Sequence, residues 1–187
     1  MYTLLVSERD LNERRQRLTS RFVRFAQFIP HMQAIFDDVG PHKKAISILQ
    51  GQKGTSTYPN YRVTLTKPHI SFNYFEIWNL IASHEHKVSF VLEKAYLHFF
   101  LPKSPTKEEK LIFIHCDPQE EQESEHYRYK VAPHIHFEIA KDPWNGIHVP
   151  LCDGWQEKVL SNLEELDNAI CRAVDFIVDQ VFPALSI

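Results

Sequence analysis

The sequence predicts an α+β domain: an antiparallel sheet with N-terminal and C-terminal helices packed on one face. That expectation rests on three features. Apolar residues recur at helical spacing at both ends of the chain. They alternate with polar residues through the middle, where the connections are short and rich in proline. At 187 residues the chain is one domain's worth, read as a helical segment over 1–40, a β-rich segment over 41–151 and a closing helix over 152–187. A chain of this length buries roughly 70% of its unfolded surface. A hydrophobic share of 43%, with thirteen Phe, supplies the material for a core.

Ser7 is placed to cap the first helix, with Asp10 completing a capping box. Leu11, Leu18, Phe22, Phe25 and Ile29 then share one side. Pro30 ends that helix, and Met32, Ile35 and Phe36 read as a second short helical piece running to Gly40-Pro41. Strands are expected at 45–49, 61–66, 69–73, 88–92, 95–101, 111–116, 126–131 and 134–139, and a short helix at 75–86. The short Val131-Ala132-Pro133 connection pairs the last two strands as a hairpin. Ser161-Asn162-Leu163-Glu164 is a capping box for the closing helix, which carries Leu166, Ile170, Ala173, Ile177 and Val181 on one face and ends at Pro183.

Composition narrows the function classes. A net charge of −3 gives no global attraction to nucleic acid or anionic membranes. Cys116, Cys152 and Cys171 are odd in number and not closely paired, which fits a reducing compartment rather than a disulfide framework. The N-terminus has no basic stretch followed by a long apolar core, so no signal peptide is expected. No run approaches the ~20 apolar residues of a membrane helix. A cytoplasmic protein with no membrane partner is the resulting expectation. Eleven His residues are an unusual load and direct attention to imidazole chemistry.

Two segments echo one another. Tyr61-Arg62 leads to Pro68-His69-Ile70-Ser71-Phe72-Asn73, and Tyr127-Arg128 leads to Pro133-His134-Ile135-His136-Phe137-Glu138. In each, alternation sends the apolar residues one way and the imidazoles, hydroxyl, amide and carboxylate the other. Imidazoles titrating near neutrality suit an acid–base pair across a scissile bond, and Arg suits phosphate oxygens. His69, His134 and His136 are therefore the candidate catalytic residues. Arg62, Ser71, Arg128 and Trp144 are the candidate substrate-binding ones, with Trp144 in a turn-forming loop where its ring would stack on a base. The substrate expected is RNA or a nucleotide, and this chemistry requires no cofactor.

The segments resemble the paired H-x-[ST] strands of 2H phosphoesterases, in which two strand histidines act as acid and base on RNA or cyclic phosphodiesters. His69-Ile70-Ser71 follows that pattern; the second segment has His136 where that family has Ser or Thr. Residues 126–182 are similar to TumE-type toxins of bacterial toxin–antitoxin pairs. The likeness rests on Tyr127-Arg128-Tyr129, Ala132-Pro133-His134 with His136, His148, and the Leu/Glu-rich closing helix. This second resemblance implies a role in a bacterial defence system.

Two alternatives use the same residues differently. His134 and His136, at i and i+2 on one strand, are spaced as ligands of a divalent metal, with Glu138, His126 or His148 as a third, which would make a metal-dependent hydrolase. The N-terminal helix, with Arg9, Arg14, Arg15, Arg17, Arg21 and Arg24 beside an apolar stripe, would instead dock a protein partner in a non-catalytic subunit.

Overall fold

The protein is represented by a computed structural model, which describes residues 4–22, 31–51, 61–65, 70–84, 87–104, 107–118, 133–137, 147–150 and 160–184. Among these, nine strands join one antiparallel sheet. They are β1 (Leu5–Ser7), β2 (Met32–Gly40), β3 (Lys43–Gln50), β4 (Val63–Thr64), β5 (Ser71–His84), β6 (Lys87–Ser104), β7 (Lys107–Cys116), β8 (His134–Phe137) and β9 (Ile147–Pro150). Seven follow one another in the order β2-β3-β5-β6-β7-β8-β9. The short β4 lies beside the start of β5, and β1 lies beside the first part of β6.

Helix α1 (Glu8–Arg21) begins as its sequence requires. The Asp10 backbone N–H donates to Ser7 Oγ at 3.2 Å, and the Ser7 N–H donates to Asp10 Oδ2 at 2.8 Å. Helix α2 (Leu163–Phe176) is capped one residue later than expected, because the Asn162 side chain, not that of Ser161, accepts from the Glu165 N–H at 2.9 Å. Beyond Phe176 the helix widens into a π turn over Ile177–Val181, with the Phe182 N–H bonded to the Ile177 carbonyl. Pro183 sits inside the last short turn, Phe182–Ala184.

Cross-strand register separates the two faces of the sheet. Ala34, Ile48, Tyr74, Leu97, Ile114 and Ile135 form one row across it, and Phe72, Phe99 and Ile112 a neighbouring row. Leu11 and Leu18 of α1, Leu166, Ile170 and Ala173 of α2, and Ile177 of the π turn that follows share the buried core with these rows. Both helices therefore cover the same face. Phe22 stacks on Phe72 with centroids 6.0 Å apart, and Phe182 meets Phe99 edge-on at 5.5 Å. Such pairs add roughly 0.5–1.5 kcal/mol each beyond the area they bury.

Several expected elements differ. Met32–Gly40 is a strand, not a helical piece, so helix does not fill residues 1–40. Its inward residues are Met32, Ala34 and Phe36, a period of two; Ile35 points to the other side and creates the apparent helical spacing. The helix expected at 75–86 is not found over 75–84, where Ser71–His84 is one long strand; residues 85–86 lie outside the described residues. It is buried on both faces over Ser71–Trp78, and its pairing with β6 slips at Ile77/Trp78 and at Leu80/Ala82. Burial on both sides erases the alternation, and each bulge resets its phase. The expected break between residues 92 and 95 and the expected strand end at residue 101 are both absorbed into β6, which runs on through Pro102 to Ser104. Residues 126–131 lie outside the described residues, and β8 pairs with β7 on one side and β9 on the other.

The apolar stripe of the first helix faces inward at Leu11, Leu18 and Phe22, while Arg24, Phe25 and Ile29 lie outside the described residues. Within that stripe lies Arg14, fully buried. Its Nε donates to both carboxylate oxygens of Glu76 at 2.9 Å, its Nη2 reaches Glu76 Oε1 at 2.5 Å, and its Nη1 donates to Asp167 Oδ1. Glu76 also accepts from the Tyr74 hydroxyl, and from Trp78 Nε1 at 2.9 Å. Burial opposes the charge of Arg14, but Glu76 and then Asp167 hold its proton more firmly than in water. Burial and the neighbouring Glu76 charge push the Tyr74 hydroxyl well above its ordinary range, so it remains a donor. This network ties α1, β5 and α2 to one another.

Candidate functional site

The face turned away from the helices carries the imidazoles. One row across the sheet runs Ser47, Phe75, Tyr96, His115, His134; the next runs Asn73, His98, Phe113, His136, with the His148 backbone in register beside His136. Because directly opposed residues of antiparallel strands share a face, four histidines from β6, β7 and β8 are gathered on one surface. The alternation that predicted polar positions on 134–137 is thus repeated on two neighbouring strands.

The rings are close. His98 Nε2 and His115 Nε2 are 2.8 Å apart, a hydrogen bond in which one imidazole donates and the other accepts. Tyr96 stacks on His115 with centroids 4.1 Å apart, and its hydroxyl donates to Asp117. His134 meets His115 edge-on at 5.8 Å, and His136 lies 6.0 Å from His115 and 5.5 Å from Phe113. Phe113 itself is 4.9 Å from His98. His134 is 1% exposed, whereas His98, His115, His136 and Asp117 are half-buried.

The donor atoms of His115, Asp117 and His134 all lie within 4.8 Å of one another, the one such group among the described residues. Two imidazoles and a carboxylate form a donor set suited to a first-row divalent ion. The metal trio expected from sequence is only partly the one found. His134 belongs to it, His136 stands beside it, His148 is placed by backbone register alone, and His126 and Glu138 lie outside the described residues.

The remaining candidates are distributed as follows. Ser71 and Asn73 do face the same side as His134 and His136, and both are buried. Two strands, β6 and β7, intervene between β5 and β8, so three strand spacings, about 14 Å, separate the two echoed segments. Arg62 is exposed, with its guanidinium carbon 4.2 Å from the centroid of the Phe100 ring opposite Ser71. His69, Arg128 and Trp144 lie outside the described residues. Sequence reasoning missed His98, His115 and Asp117. The signal was present: Tyr96 and His98 alternate with Leu97 and Phe99, and His115 and Asp117 with Ile114 and Cys116, in the same apolar–polar period as His134-Ile135-His136.

No helix among the described residues is long and apolar enough to cross a membrane. Comparison of the chain with protein-family models, with curated proteins and with solved structures finds no match.

Proposed function

We propose that the histidine-bearing face is the active site of a hydrolase that processes phosphodiesters, with RNA or a nucleotide as substrate. The observation that supports this reading is the gathering of His98, His115, His134 and His136 on one surface, two of them joined ring to ring at 2.8 Å. Neighbouring imidazoles allow one group to take the proton of an attacking hydroxyl or water while a second delivers a proton to the leaving oxygen. His136 and His98, both half-buried, are the members best placed to touch a substrate, with His134 deeper and Arg62 at the margin as a phosphate contact. The half-buried ring of Tyr96 among the imidazoles suits stacking against a base, while Phe113, 3% exposed, packs beneath them. A cytoplasmic setting, in which Cys116 and Cys171 stay reduced thiols, and a place in a bacterial toxin–antitoxin or defence system belong to the same proposal.

The test is direct. The purified chain is assayed on a short single-stranded RNA and on a 2′,3′-cyclic nucleotide, beside His136→Ala and His98→Ala. Each substitution is expected to lower the rate by about 10²–10⁴-fold while the melting temperature moves by only a few degrees. Unchanged turnover in both variants rejects the assignment.

A further inference from the structure

We infer that His115, Asp117 and His134 bind a first-row divalent transition-metal ion, with His98 and Tyr96 holding two of these ligands in place. The ion's role in phosphodiester hydrolysis rests on the function proposed above; its binding does not.

Three observations converge on the site. The donor atoms come from two adjacent strands, β7 and β8, and from the residue following Cys116, and all lie within 4.8 Å of one another. Donors bound at about 2.1 Å from one ion stand roughly 3–4 Å apart, so loading needs side-chain shifts on the order of 1 Å. The chemistry is also selective: two imidazoles and one carboxylate favour Zn²⁺, Mn²⁺, Fe²⁺ or Co²⁺ over Mg²⁺ or Ca²⁺, and three protein ligands leave positions open for water.

The third observation is the layer behind the ligands. Metal-bound histidines and carboxylates normally have their other polar atoms held by neighbours, which fixes ring tautomer and orientation. Here His98 bonds His115 ring to ring at 2.8 Å, Tyr96 stacks on that same His115 ring, and the Tyr96 hydroxyl donates to Asp117. One tyrosine thus orients two of the three ligands. Burial of His134 further restricts its motion.

With an ion in place, a bound water is the nucleophile. Its oxygen forms a bond to phosphorus as the P–O bond to the leaving alcohol breaks, and its proton passes by way of a nearby imidazole to the departing oxygen. His136, 6.0 Å from His115 by ring centroid, is positioned for that transfer.

The full chain, stripped with chelator, is titrated with Mn²⁺, Zn²⁺ and Co²⁺ by calorimetry, and the Co²⁺ form is followed by its visible absorption. One ion per chain is expected. Asp117→Asn and His115→Ala should each weaken binding by at least about 100-fold, and Tyr96→Phe by about 10–100-fold with the metal-free melting temperature lowered by only a few degrees. Because His134→Ala risks misfolding, Asp117→Asn and the Co²⁺ spectrum carry the test. Absence of saturable one-to-one binding, or equal binding by Asp117→Asn, overturns the inference. Stoichiometric binding without hydrolysis of RNA or cyclic nucleotide leaves the metal site standing and removes the hydrolase. Full hydrolysis by ion-free protein overturns the ion's part in catalysis and leaves its binding to be judged by the titration.

Discussion

On the helix-covered face of the sheet, Arg14, Glu76 and Asp167 saturate one another with charge-assisted bonds. On the opposite face, His98, His115, His134 and His136 gather their rings beside the Asp117 carboxylate. Both are clusters of ionisable groups withdrawn from water, yet their chemistry points in different directions. Glu76 spends its two oxygens on Arg14, Tyr74 and Trp78, all on secondary-structure elements that must stay put. The imidazoles instead contact one another and nearby aromatic rings, and three of the four stay partly exposed. Burying charge is tolerated for architecture when each charge is answered; grouping weakly basic rings near an acid retains proton and metal chemistry. Burial of polar groups alone therefore does not mark the working site.

The largest expected effect tests the architectural cluster. Glu76→Ala leaves Arg14 buried without its main counter-charge and should cost about 3–5 kcal/mol, read by urea denaturation. That is a large share of the roughly 5–15 kcal/mol of a typical domain, so partial unfolding at ambient temperature is the expected appearance. A loss under about 1 kcal/mol would show that Arg14 finds other compensation. Next, Tyr74→Phe removes a hydroxyl bonded to a charged group and should cost about 1.5–3 kcal/mol, with the turnover of the folded fraction unchanged. A fall in turnover instead would join the two faces functionally and break the contrast.

The smallest effect concerns the start of the helix that delivers Arg14. Ser7→Ala removes one half of the capping box and should cost about 1 kcal/mol near neutral pH. The Ser7 hydroxyl, and then the Ser7 backbone N–H, hold the Asp10 carboxyl below its ordinary value of 3.8. A carboxyl with a lowered folded value stabilises the fold fully above the unfolded value, and the contribution disappears as pH falls through the folded value. The variant's deficit should therefore be present at neutral pH and shrink in acid well below 3.8. Paired urea titrations at the two pH values measure the change, and an equal deficit at both would remove Asp10 from the account.

The fold class and the two terminal helices were readable in the chain because each end carries a helical stripe closed by a cap: Ser7 with Asp10 in α1, Asn162 in α2. The sheet interior was less so. Residues such as Phe75, Ile77 and Trp78 are buried irrespective of the side they face, and two bulges shift the pattern between them. Met32, Ile35 and Phe36 mislead for a related reason: Ala34 is a small inward residue whose contribution to the periodicity is easy to overlook. Half of the candidate site, His134 and His136, stood out through H-x-H spacing. The other half did not, because His98 and His115 are joined to it by strand order, and strand order depends on distant pairings that no local spacing records.

The Arg14 network has a consequence for how the chain is made. Glu76 is 62 residues from Arg14 in sequence and Asp167 is 153. A nascent chain therefore emerges from the ribosome with its guanidinium and first carboxylate in hand long before the second acid has been synthesised. Final closure of the interior must wait for the last helix, a contact of high sequence separation that slows folding. Products interrupted before Asp167 would lack one of the acids that anchor Arg14, and would be marked for quality control by the unfinished interior they expose.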